Sequence, residues 1–113
     1  MFKEGSRVEL LMAVTTEANK SLAEALATTL LERRLAACVS LQPVQSYYLW
    51  QDELQQDEEI QLLIKTTQEQ LARLEEAIEE LHSYETPQWI YWPASSGISY
   101  GAWVEAVIPP GRA

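Results

Sequence analysis

The apolar positions along this chain change period several times, and each change marks an element. Val8 to Val14 is an almost unbroken apolar run, short enough for a strand and apolar enough for one covered on both faces. Thr15, Thr16 and Asn19 then offer N-caps, with Glu17 placed near a helix start. From about Ala18 to Leu35, Leu22, Leu26 and Leu30 recur every four residues, with Leu31 and Leu35 widening the stripe of a helix laid on a sheet. Ala36 to about Trp50 reads as an extended stretch, with Pro43 marking a bulge or an edge position. Gln51 to Gln56 is a polar break. Asp57 to Thr67 then alternates, placing Ile60, Leu62 and Ile64 on one face and making this the second arm of a β-hairpin. Thr66 or Thr67 caps a second helix in which Leu71, Leu74, Ile78 and Leu81 oppose Glu75, Glu76, Glu79 and Glu80. A short aromatic strand, Trp89 to Pro93, a loop from Ala94 to Ser99 and a last helix from Tyr100 to Val107 complete the chain.

Strand, helix, hairpin, helix, strand is the order of an α+β, ferredoxin-like βαββαβ sandwich, here with a C-terminal helix. The 113 residues make one domain with a core of about residues 8–107 and flexible tails at 1–6 and 109–113. Two helices cover only one face of such a sheet. The strands are nevertheless apolar on both, and eight of the nine Trp and Tyr residues lie in strand stretches or the last segment. A second copy of the chain is the simplest cover for the open face, so self-association is expected from the residues alone.

Charge narrows the partners. A net charge of −9, with no cluster among the eight basic residues, argues against nucleic acid. No apolar run approaches membrane-spanning length and the N-terminus has no secretory pattern, so a cytoplasmic protein without membrane insertion is expected. Cys38, the one cysteine, lies in an apolar run and reads as a small core residue.

Candidate chemistry gathers in His82 through Gln88, which closes the acidic helix and opens the aromatic strand. It places the only histidine beside Tyr84 and Glu85, and Pro87 favours an extended Thr86. There is no Gly-rich phosphate loop, no Cys-x-x-Cys and no serine or cysteine beside His82 and Glu85 by sequence, so no catalysis is expected. An imidazole suits copper, zinc or nickel, and Glu85, Asp57, Glu58 or Glu59 offer oxygen ligands that need completing across a subunit boundary. The structural alternative for His82 is a helix-terminal residue at the negative end of the dipole.

Leu35-Ala-Ala-Cys-Val39, Ser46-Tyr47 followed by Trp50, Glu58-Glu59 leading to Ile64-Lys65-Thr66, and His82-x-Tyr84-Glu85-x-Pro87 occur in the order seen in the CutA family of divalent-cation tolerance proteins. The chain resembles that family from about Val8 to Val107, with Tyr100 and Trp103 similar to the aromatic pair of its last helix. The resemblance implies a compact homotrimer with no required cofactor, tolerance of divalent cations (copper above all), and in some members a structural or anchoring role. It also implies an architecture similar to PII signalling proteins, hence a small-ligand regulator as the alternative. The cleft set it implies is Tyr47, Trp50, Glu59, Lys65, His82, Tyr84, Glu85 and Trp103, of which His82, Glu85 and Glu59 are the metal candidates. Gln88 stands where family members often carry a glutamate, and Val14-Thr15-Thr16 has no cysteine where some members place one. Both departures weaken tight copper binding.

Overall fold

The computed structural model describes residues 7–109; the expected tails lie outside them, apart from Pro109. The elements run β1 (Arg7–Glu17), α1 (Lys20–Glu32), β2 (Cys38–Trp50), β3 (Glu53–Thr66), α2 (Leu71–Leu81, entered through a short 3-10 turn at Gln68–Gln70), β4 (Ile90–Gly97) and α3 (Ile98–Val107). The strands form an antiparallel sheet in the order β2-β3-β1-β4, the ferredoxin-like arrangement expected. No described helix is long and apolar enough to cross a membrane.

Alternation places the core. Ala13 on β1 and Leu62 and Ile64 on β3 face the helices and pack with Ala23, Leu26, Ala27 and Leu30 of α1 and Leu74, Ala77 and Ile78 of α2. Leu22, expected in the α1 stripe, is instead exposed in the first turn. Asn19 caps that turn, its side chain accepting the Leu22 N–H at 2.9 Å. The helix ends three residues earlier than expected. Arg34 turns left-handed (φ 59°), and the N–H groups of Arg34 and Leu35 return to Leu31 O and Leu30 O at 3.0 and 2.9 Å, a Schellman close.

The opposite face is not wholly open. α3 lies across it, burying Val104 and Ile108 against Leu10 and Ala37. The approach is close enough to exclude a side chain at Gly101, where a Cβ would lie 2.8 Å from Val8 Cγ1 and nearer still to Val8 Cβ. Part of the cover assigned to a second copy is therefore intramolecular.

Other boundaries also differ from the sequence reading. β1 continues through Glu17, so Thr15 to Glu17 are strand and not cap residues. β4 runs through Pro93 to Gly97. It pairs only with β1, and an edge strand accommodates a residue without an N–H. The same reason holds for Pro43, which pairs with Ile60 in an unbroken register on the other edge strand, without a bulge. The hairpin loop is not six residues but two, Gln51 and Asp52, both left-handed (φ 51° and 65°) in the manner of a type I′ turn. The molecule measures 48 × 32 × 22 Å, and the arms of the hairpin are correspondingly long. At its outer end Leu49 and Leu54 are 74% and 73% exposed.

Two substitutions test these features. Asp52→Gly relieves a left-handed non-glycine residue and should raise the denaturation midpoint, by an increment of about 0.5–1 kcal/mol. Gly101→Ala should lower it by about 1–3 kcal/mol, the overpacking cost exceeding the gain in helix propensity.

Candidate functional site

α2 stops at His82, whose backbone is extended (φ −69°, ψ 142°), and the chain folds back over the end of β1. Glu17 is what it meets. By alternation Glu17 follows Leu11, Ala13 and Thr15 onto the helix face, and it is 1% exposed. A buried carboxylate needs donors. Ser83 supplies two, its N–H to Oε2 at 3.1 Å and its hydroxyl to Oε1 at 2.5 Å, and the Ala18 N–H approaches Oε1 at 3.4 Å.

His82 is held in the same fold-back, its side chain 1% exposed. Its Nδ1 lies 3.0 Å from the Tyr84 N–H, which can only donate, so Nδ1 accepts and Nε2 carries the proton. Nε2 then donates to Thr16 O at 2.8 Å, with Thr15 Oγ1 at 3.1 Å. Glu17 Oε2 stands 3.5 Å from Nδ1. With Nδ1 accepting, that approach is a contact and not an ion pair. Both ring nitrogens are engaged, and the ring sets the position of Tyr84.

Tyr84 carries the arrangement through to the opposite face of the sheet. Its hydroxyl donates to Glu59 Oε2 at 2.7 Å, and Thr16 Oγ1 reaches the same oxygen at 3.3 Å. Along β3 the two-residue period puts Gln55, Asp57 and Glu59 on this face, across from Ser46, Tyr48 and Trp50 of β2. Tyr48 OH donates to Asp57 Oδ2. These groups, with Glu85, Thr86 and Gln88, line an open cavity of 710 Å³ whose lining holds three carboxylates and no Lys, Arg or His. Burial, followed by the Glu59 hydrogen bond, holds the Tyr84 phenol well above its usual range. The hydrogen bond to Asp57, followed by burial, raises that of Tyr48. Both phenols therefore stay protonated as donors, and the stability they confer is full below the ordinary tyrosine pKa and declines as pH rises beyond it.

Of the cleft residues expected from sequence, Trp50, Glu59, Tyr84 and Glu85 come together here, with His82 behind them. The other three lie elsewhere. Tyr47 has the opposite parity to Trp50 on β2 and emerges on the other face, 62% exposed. Lys65 shares the face of Glu59 but lies six residues further along β3, 2.6 Å from Ser40 Oγ and 3.6 Å from Cys38 Sγ. Trp103 is on α3, its ring 5.6 Å from that of Tyr100. Glu17, Ser83, Thr16 and Tyr48 were not foreseen as site residues. Strand alternation carried past Val14 would have placed Glu17 inward. Among the described residues, no three His, Cys, Asp or Glu side chains converge as a metal site.

A ferredoxin-like sheet with its chemistry on the hairpin and the α2–β4 loop defines the class, and the comparisons give the family. The model of the CutA1 divalent ion tolerance protein family matches residues 11–107. A divalent-cation tolerance protein CutA of Pectobacterium atrosepticum is 37% identical over 87% of this chain and 91% of its own. Among solved structures, CutA of Synechococcus elongatus superposes with a TM-score of 0.88 at 32% identity, covering 93% of this chain and 97% of that one. CutA1 of Oryza sativa does so at 0.87 and 30%, covering 95% and 100%. The chain belongs to the CutA1 divalent ion tolerance family.

Glu17→Ala strips Ser83 of the acceptor for both its N–H and its hydroxyl. The expected result is a loss of about 2–3 kcal/mol, with amide exchange accelerating selectively at Ser83 and Tyr84. Unchanged protection at those two amides would count against the tether.

Proposed function

We propose that this chain works as a homotrimer that binds divalent cations weakly at sites completed between subunits, without catalysis. The observation that carries this reading is the 710 Å³ cavity, in which Asp57, Glu59 and Glu85 have no cationic side chain beside them among the described residues. Among the described residues of one chain these oxygens do not gather into a ligand set. A neighbouring subunit would have to supply the rest. The exposed Tyr47, Leu49 and Leu54 on the far half of the hairpin supply a reason for neighbours to be there. The family's association with divalent-cation tolerance favours this over a small-ligand sensor.

The donor chemistry bears on which ion. Carboxylate oxygens suit hard divalent ions such as Mn²⁺, whereas copper favours imidazole, and the His82 nitrogens are already occupied. Glu59, Glu85 and Asp57 are the ligands this reading assigns, with His82 as the residue that positions Tyr84 against Glu59. A cytoplasmic location belongs to the same proposal, since Cys38 is unpaired and the cytosol keeps thiols reduced.

The test is a mass measurement in solution together with competition titrations of Mn²⁺ and Cu²⁺ into tag-free, metal-free protein, alongside Glu59→Gln. A mass of three 12.8 kDa chains, with saturable uptake at a fixed ratio per trimer, is expected. Glu59→Gln should weaken uptake about tenfold or more, the scale on which even outer-shell partners act. A monomeric mass, or non-saturating uptake that the variant shares, would overturn the proposal.

A further inference from the structure

A metal ion is a point charge that demands several donors converging on one centre. The cavity does not offer that within a single chain. Its negative groups are spread out: Asp57 and Glu59 are alternate residues on one face of β3, with Cα atoms about 7 Å apart, and Glu85 approaches from the α2–β4 loop. Tyr48, Trp50 and Tyr84 line the same cavity. Trp50 is 56% exposed at the rim. Tyr48 and Tyr84 donate their hydroxyl protons to Asp57 and Glu59, so to a ligand each offers its ring and an acceptor oxygen but no donor.

Aromatic faces, separated carboxylates and no competing cation are the features that recognise an organic ammonium ion. The ring quadrupole attracts the charge, the carboxylates fix it, and the apolar walls take up the methylenes. Separation of the carboxylates favours a ligand with two charges over one with a single head. A cavity of 710 Å³ is ample for it, and falls in the ordinary range for small-molecule sites.

We infer that this cavity binds a short alkyl diammonium ion, its two charges set against Asp57 and Glu59 and its chain against Trp50 and the tyrosine rings. The inference rests on the reading of the cavity as a cation site, but it calls on the aromatic wall, which a metal ion does not use.

Calorimetric titration of the intact oligomer with putrescine tests it, at matched ionic strength and with 1,4-butanediol as the neutral control. Mn²⁺ is titrated separately. Trp50→Leu removes the π face while keeping apolar bulk, and Asp57→Asn removes one charge while keeping an acceptor for Tyr48. Saturable putrescine binding is expected, with none for the diol. Trp50→Leu should weaken it about fivefold, the scale of a partly exposed cation–π contact; Asp57→Asn should weaken both putrescine and Mn²⁺ uptake. Putrescine uptake no greater than that of the diol, or saturable uptake unaffected by both variants, overturns the inference. Putrescine binding without Mn²⁺ binding supports it and sinks the metal proposal, whereas the reverse sinks this inference alone.

Discussion

Burial of the Glu17 carboxylate is the constraint from which the site follows. A carboxylate 1% exposed has to be met by donors or the fold loses several kcal/mol. The donors that meet it, the N–H and hydroxyl of Ser83, lie immediately after α2. The loop therefore cannot wander. Once Ser83 is tied to the end of β1, His82 is pressed against Thr15 and Thr16, its ring takes the tautomer that accepts from Tyr84, and Tyr84 is aimed at Glu59. A chain of hydrogen bonds thus runs from a group buried beneath the helices to a carboxylate on the opposite face of the sheet. Each bond in it is modest, but breaking those to Glu17 or His82 leaves a buried group unpaired, which is why such networks hold a single geometry.

The hairpin is the second determinant, and it works by parity. From Cys38↔Lys65 to Trp50↔Glu53 the register is continuous, so every side chain on these two strands has an assigned face. The helix side near α1 and α2 receives Leu62 and Ile64, and the same side further out carries Tyr47, Leu49 and Leu54, which the described residues leave exposed. The other side receives Tyr48, Trp50, Asp57 and Glu59. One ladder thus makes a core at one end, an apolar surface at the other, and an acidic aromatic cavity behind it. A bulge at Pro43 would have exchanged these faces beyond it. The proline is accommodated because β2 is an edge strand of this chain, where a missing N–H need not break the ladder.

Much of this was legible in the sequence, for reasons that can be separated. The order of elements followed from changes of period, which are set by geometry and survive tertiary context. The His82–Gln88 segment stood out because Pro87 forces a boundary where chemically able residues cluster. Local signals failed where two of them competed. Thr15-Thr16-Glu17 resembles a helix start, yet the strand continues through it because pairing with Leu62, Gln61 and Ile60 of β3 outweighs the capping preference. Gln51-Asp52 lacks the glycine that announces a two-residue turn, so the loop was drawn too long. Pro93 was read as a stop because edge position is a property of the sheet, invisible in the strand itself. Tyr47 and Trp50, grouped as residues of one inter-subunit cleft, lie on opposite faces within the single chain. Their parity alone separates them.

The electrostatics of the cavity follow from the same register. With a net charge of −9 the whole molecule favours cations at long range, but that field is screened over about 10 Å at ordinary salt and selects nothing. Selection has to come from groups fixed at short range. Here the phenols of Tyr48 and Tyr84 hold two carboxylates in place from the side, spending their own protons on Asp57 and Glu59 and not on a ligand. Such an arrangement fixes where the negative charge sits without neutralising it. It also keeps the carboxylates apart, because each is held by its own tyrosine. A neighbouring subunit that adds oxygen donors would turn one of them into part of a metal site; left unassisted, the pair presents two separated charges on an aromatic wall. The spacing imposed by the β3 pleat therefore decides which cations the cavity distinguishes, and overall acidity decides only that cations arrive.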